Sequence, residues 1–297
     1  MTRFVYSPHY VVNIGDHVFP TRKFGLVAER LKDLGEFIEP QPASRRDLLL
    51  AHEQAWVDKA LKGVMSLDDE TLMELPFSRD LALAHRLSVS GTIMACGRAL
   101  DYGVGLHIGG GSHHAFADHG EGFCMFNDIA VGIIKMRHER GISRASVVDL
   151  DVHQGNGTAA LFANEPDVFT FSMHQEDIYP QPKAAGSLDI GLAAGVGDKA
   201  YLKSLEANLP KVFEHEPELV VYQAGVDCYE GDVLGGLKLT AQGLRRRDQM
   251  VYQECRRRGV GVAVTLGGGY AQDLSQTAAL HAQTLLIFAG LEDKILK

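Results

Sequence analysis

The chain has 297 residues, 45% of them hydrophobic, and a formal net charge of -9. That is enough apolar material for one large core, and the acidic balance argues against binding nucleic-acid backbones, although cationic substrates such as lysyl side chains or polyamines stay compatible with it. The cysteines at 96, 124, 228 and 255 form no C-x-x-C pair, and "MTRFVYSPHY" carries no apolar leader. These features weigh against a cysteine zinc site, a disulfide scaffold, export or a membrane span, and point to a cytoplasmic protein.

Taken in chain order, "SRRD" at 44–47 predicts a capped helix running through "LLLAHEQAWVDKALKG" to a stop at Gly63. A recurring unit follows, in which a short apolar run ends in glycine or a polar residue and precedes a longer helical stretch. The apolar runs are "VGLHIGGG" (104–111), "ASVVDLDVH" (145–153), "VFTFSMH" (168–174), "ELVVYQAGVD" (218–227) and "GVAVTLGGGY", which ends at Tyr270. Helical patterns lie in "NDIAVGIIKMRHERG", "KAYLKSLEANLPKVFEHE" and "AQGLRRRDQMVYQECRRRG". Alternating strands and helices predict an α/β fold: a single domain over 1–297, with a mostly parallel central sheet flanked by helices on both faces. Trp56 and the methionines read as core packing. The clusters Arg245–Arg247 and Arg256–Arg258 read as a solvated helix face.

The polar residues fall at the downstream end of each apolar run, where ligands bind in open parallel sheets. His113, His114, Asp151, His153, His174, Asp227 and Tyr270 are therefore expected at one crevice. Side chains alternate along a strand, so Asp149, Asp151 and His153 share one side and Val148, Leu150 and Val152 the other. Two carboxylates and an imidazole on one buried side call for a cation. Asp151 and His153 have ligand spacing, and Asp227 can supply a third donor, leaving the open position of a catalytic zinc site. Capping of turns or helix N-termini by the same acids is the alternative. The pair His113–His114 after "GGGS" suits proton transfer, with Asp149 and Asn156 as candidate orienting partners. "TLGGGY" lacks the spacing of a phosphate loop, which leaves Tyr270 either as an oxyanion donor or as core.

Together, "GGGSHHA", "GFCMFND", "DLDVHQGNGT", "AGVDCYEGDVLG" and "GGGY" resemble, in order and spacing, the histone deacetylase family on the arginase/deacetylase fold. "SGTIMACGRAL", "GISRASVVDLDVHQGNG" and "EGDVLGGL" look most like its class IV branch. The resemblance implies Asp151, His153 and Asp227 as ligands of one Zn2+, with Fe2+ as the alternative metal. It implies His114 as the main proton carrier, His113 as its electrostatic partner oriented by Asp149, and Tyr270 as the group polarising the scissile carbonyl. Phe123 and Tyr179, with Gly122 and Gly268, would line an acyl-lysine tunnel. A structural K+ would sit among Asp149, Asp151, His153, Ser172 and Met173. Asn156 stands where some branches carry aspartate, which predicts a less basic His114.

The activity implied is removal of acyl groups from lysine side chains of peptides or proteins, or from small acylated amines. Two rivals stand beside it. A two-manganese ureohydrolase needs an acid where this chain has Gly155. A regulatory acyl-lysine binder would keep the pocket without turnover.

Overall fold

The computed structural model describes residues 2–294. Its centre is an eight-stranded sheet in the order β2-β1-β3-β8-β7-β4-β5-β6. The strands are β1 (Arg3–Val5), β2 (Glu36–Ile38), β3 (Val104–His107), β4 (Ala145–Asp149), β5 (Val168–Gln175), β6 (Leu188–Leu192), β7 (Leu219–Gln223) and β8 (Gly261–Thr265). Every pairing is parallel. The helices are α1 (Arg22–Leu31), α2 (Arg45–Leu48), α3 (Gln54–Lys62), α4 (Leu67–Met73), α5 (Arg79–Tyr102), α6 (Asp128–Arg140), α7 (Asn156–Phe162), α8 (Asp198–Glu214), α9 (Ala241–Arg258) and α10 (Leu274–Phe288). No described helix is long and apolar enough to cross a membrane.

Strand alternation divides the core into two layers. Ala145, Val147, Leu219, Val221 and Ala263 pack against α5 and α6 through Ala95, Ile129 and Ile133. The intervening Val148, Val220, Tyr222, Val262 and Val264 face α1, α8, α9 and α10 through Val27, Leu205, Val251 and Leu285. Strands buried on both faces explain the near-continuous apolar runs. A third cluster under α2–α4 holds Trp56, whose Nε1 donates to the Met125 carbonyl at 2.9 Å.

Three expectations need correction. The helix predicted from 44 to 63 is two: Ser44 and Asp47 form the expected capping box, but α2 ends at Leu48 and α3 starts at Gln54. The break is set by His52, whose Nδ1 lies 2.8 Å from the Phe116 carbonyl while Nε2 accepts from Asn127 N–H. These contacts with the 109–128 segment outweigh helical propensity. The strands are also shorter than their apolar runs: β4 ends at Asp149 and β7 at Gln223. Lastly, Arg247 is fully buried rather than solvated. Its guanidinium donates to the carbonyls of Leu150 (3.2 Å) and Gly225 (2.6 Å) and pairs with Asp248. It therefore braces both loops that carry the acidic residues of the crevice. β1, β2, β6 and helices α1, α4, α5, α7 and α10 were not anticipated from the sequence patterns.

Candidate active site

Past Asp149 the chain leaves the ladder but stays pinned, with Leu150 N–H donating to Gln223 and Val152 accepting from Gln175 N–H. Val148, Leu150 and Val152 are all in the core, so Asp149, Asp151 and His153 emerge together on the other side. Asp227 arrives from the loop after β7 and accepts from Val152 N–H at 2.8 Å, which locks the two loops together. Donor atoms of Asp151, His153 and Asp227 lie within 4.8 Å of one another. His153 Nδ1 is 3.2 Å from Asp151 and 3.3 Å from Asp227. Asp227 Oδ2 is buried and receives no aligned hydrogen bond.

Burial pushes the Asp227 carboxyl up to about 7, with the Asp151 charge adding to it. Burial would depress His153, but its contacts with Asp151 and Asp227 lift it to about 10. Both shifts express one need, a positive charge among these groups. One imidazole and two carboxylates, one with an orphaned oxygen, form a donor set suited to zinc or iron(II). Gly268 lets the backbone come close: its N–H donates to Asp151 Oδ2 at 2.8 Å, and a Cβ there would stand 1.9 Å from Asp227 Oδ2.

The two histidines follow the bend after β3. That bend is held by the buried Asp128 at the start of α6, whose carboxylate accepts from Gly111 N–H (3.0 Å), Ser112 N–H (2.7 Å) and the Thr92 hydroxyl. The rings of His113 and His114 sit 4.1 Å apart and have opposite surroundings. His113 Nδ1 is 2.7 Å from Asp149 Oδ2. Burial opposes its charge, but Asp149 and Asp151 prevail and hold it up at about 9. His114 Nδ1 is 2.7 Å from Asn156 Oδ1, at the first residue of α7. Burial, then the neighbouring His113 and His153, press it well below the ordinary histidine value. Both expected orienting contacts are therefore in place. Gly155 is a tight spot, since a Cβ there would lie 2.5 Å from Asp149 Oδ2 and 3.1 Å from His113 Nδ1.

Tyr270 borders the same cleft, its backbone N–H given to Asp232 at 2.7 Å. Burial, with Asp151 and Asp227 nearby, keeps its phenol protonated well above the usual range. Gly122, Phe123 and Gly268 line the cleft, and Phe123 meets Tyr270 edge-on at 6.1 Å. Tyr179 packs edge-on against His114 at 4.9 Å and against His153 at 6.2 Å. The same cleft is also bordered by the apolar Val12, Phe24 and Leu81 and by the polar Thr21, His85 and Ser88. Of the residues expected around K+, Ser172 pairs with Asp149 in the ladder. Ser172 Oγ lies 2.8 Å from His174 Nδ1, and Met173 is core.

Sequence reasoning missed several participants. Lys23 of α1 is fully buried, donates to the Gly267 carbonyl at 2.6 Å and lies 5.2 Å from the Tyr270 ring centre. Burial brings its ammonium down to about 8, against the pull of Asp227 and Asp151. Glu121 accepts from Asn156 Nδ2 at 2.7 Å and from the Tyr179 hydroxyl at 2.6 Å. Nothing local marks Lys23 or Arg247. Glu121 lies between the motifs "GGGSHHA" and "GFCMFND", and its partners Asn156 and Tyr179 are 35 and 58 residues away in sequence.

Residues 17–286 match the histone deacetylase domain. The chain is 38% identical over 285 residues to an uncharacterised protein of Picosynechococcus sp., covering 94% of this chain and 95% of that one. It is 30% identical to histone deacetylase 2 of Arabidopsis thaliana, covering 95% and 78% of the two chains. It is 33% identical to the histone deacetylase-like amidohydrolase of Pseudomonas aeruginosa, covering 78% and 65%. With the sheet, the clustered acids and the histidine pair in place, these similarities lead to one assignment: the chain belongs to the histone deacetylase family.

Proposed function

We propose that this protein is a zinc-dependent deacylase, with 1–297 acting as one catalytic domain that hydrolyses acyl-lysine side chains or similar acylated amines. The observation that carries the reading is the convergence of Asp151, His153 and Asp227 within 4.8 Å beside a histidine pair of opposed electrostatics. Zinc held by these three groups would supply Lewis-acid polarisation and a more acidic water. His114 does the work of the base. Its Nδ1–H is given to Asn156, so Nε2 carries the lone pair, and its low basicity keeps it neutral before reaction. His113, held as imidazolium by Asp149 and Asp151, stabilises negative charge developing beside it, and a protonated histidine delivers the proton to the departing amine. Tyr270, still protonated, donates to the substrate carbonyl oxygen.

Phe123 and Tyr179 would flank the lysyl stem, with Gly122 and Gly268 allowing close approach. The class IV likeness favours acyl groups longer than acetyl, and Val12, Phe24, Leu81 and Ala84 give the cleft apolar lining to meet them. A structural K+ at Asp149, Asp151, His153, Ser172 and Met173 would offset the carboxylates from below. Four buried free thiols fit a reducing, cytoplasmic setting. The two-manganese reading is disfavoured, because an acidic side chain at Gly155 would displace the Asp149–His113 pair.

The test is turnover of the zinc-loaded protein on a panel varying acyl length and amine carrier. Product from at least one acylated amine, lost on chelation and regained with zinc, is the expected result. Bound zinc and measurable ligand affinity without any product would favour a regulatory binder instead.

A further inference from the structure

An asparagine behind a catalytic histidine poses a problem that an aspartate does not. Both oxygens of a carboxylate accept hydrogen bonds, so either can hold the imidazole proton on Nδ1. A carboxamide has one acceptor and one donor end. If Asn156 turned over, Nδ2 would face His114 Nδ1, the ring proton would have to sit on Nε2, and the lone pair needed for proton abstraction would be lost. Something must choose the end.

Glu121 is placed to do so. It lies in the segment between the histidine pair and α6, and its side chain is mostly covered, 20% exposed. Its Oε1 accepts from Asn156 Nδ2 at 2.7 Å and from the Tyr179 hydroxyl at 2.6 Å. Its other oxygen is 3.4 Å from His119 Nε2, and that ring stacks on Phe116 at 4.7 Å. A carboxylate has no proton to offer, so only the NH2 end of Asn156 can face it. The reverse orientation would set the amide oxygen against the carboxylate in a mostly buried place, leaving both unsatisfied. Asn156 itself is 4% exposed, so water offers it little alternative.

We infer that Glu121 is a positioning residue: it orients the Asn156 carboxamide so that Oδ1 keeps the His114 proton on Nδ1, and it joins that choice to the Tyr179 hydroxyl. Glu121 and Asn156 are then a matched pair, the carboxylate lying one residue further from the histidine than an aspartate would put it. The Tyr179 bond couples the same carboxylate to the ring that packs on His114, so the base and one wall of the substrate path share an anchor. The inference rests on the deacylase reading for its catalytic consequence, but not for its structural one.

The experiment reads the His114 tautomer by nitrogen-15 correlation spectroscopy of the imidazoles in the zinc-loaded protein, together with kcat and KM on an acyl-lysine peptide. Glu121→Met should move the ring proton of His114 toward Nε2 and lower kcat about tenfold, with a smaller change in KM. Glu121→Gln keeps one acceptor end and one donor end, so it selects less strictly and should give a tautomer balance and kcat between those of wild type and Glu121→Met. Tyr179→Phe removes one of those bonds and should alter KM alone.

The decisive combination is Asn156→Asp. Alone it sets two carboxylates face to face and lowers kcat; together with Glu121→Met it needs no selector and should recover kcat above that of Glu121→Met, with the acid limb of the pH profile moved to higher pH because a carboxylate behind His114 makes it more basic. A Glu121→Met protein with the wild-type tautomer and kcat overturns the inference, as does a double variant no better than Glu121→Met. If the wild-type protein hydrolyses none of the acylated amines, the deacylase reading fails, while the tautomer of the folded variants still decides the role of Glu121.

Discussion

The two arms behind the histidine pair are built from similar parts to opposite effect. One arm runs from His113 to Asp149, with a buried carboxylate 2.7 Å behind the ring at Nδ1 and Asp151 3.9 Å from Nε2. The other runs from His114 to Asn156 and only then to a carboxylate, Glu121. Burial depresses both rings; the carboxylate directly behind His113 overcomes it and holds that ring at about 9, while the neutral amide behind His114 leaves it depressed. The rings are 4.1 Å apart, so each also enforces the difference in the other, since the charge on His113 disfavours a second charge on His114. Adjacent identical residues therefore acquire different roles from what stands behind them, not from their own chemistry.

The bluntest perturbation removes one of the acids of the cluster beside both rings. Asp227→Ala should abolish zinc retention and lower turnover by about a thousandfold or more, read by metal analysis and by peptide hydrolysis. Retained zinc with full turnover would sink the ligand assignment. Asp149→Asn tests the charged arm alone. It keeps an acceptor for His113 but removes the charge, and should lower kcat roughly a hundredfold. The wild-type value of about 9 means activity that depends on protonated His113 is lost as pH rises through that value. In Asp149→Asn this alkaline limb should shift to lower pH, and an unmoved limb would show that Asp149 does not hold the charge.

The neutral character of the second arm extends into the scaffold. His52, His85 and His107 are buried, and burial lowers them to about 4, 4 and 3. The unfolded chain, with histidines near 6.5, binds more protons than the folded one between those values. The stability these groups confer is therefore present above about 6.5 and lost as pH falls toward 4. Each should contribute a slope of about 1 kcal/mol per pH unit, measured as urea midpoints across that window. A flat profile would mean that these rings charge in place. The smallest expected effect is on the rim. Tyr179→Phe removes one hydrogen bond to Glu121 and should raise KM about threefold with kcat nearly unchanged, which steady-state kinetics would show.

Much of the site is legible in the chain because strand alternation is a local property. Asp149, Asp151 and His153 had to share a side once Val148, Leu150 and Val152 were in the core, and they do so even though β4 ends at Asp149. The gathering of His113, Asp227 and Tyr270 with them follows from parallel strands all ending at the same edge. Where local pattern met a distant partner, it failed. The helix through His52 breaks because that ring serves the loop at Phe116 and Asn127. Arg247 sits in a run of arginines that looks solvated, yet it alone turns inward to two loop carbonyls.

The sequence by itself determined the α/β alternation, the crevice at the strand ends and which side chains stand there, since each depends on spacing within a few residues. Only the tertiary structure decided how those side chains are tuned. The charge on His113, the neutrality of His114, the burial of Lys23 against Tyr270 and the choice Glu121 makes for Asn156 depend on groups 35 residues or more apart in the chain. Hydrogen bonding and Coulomb interaction act through a few ångströms of space, and spacing along the chain does not encode that distance.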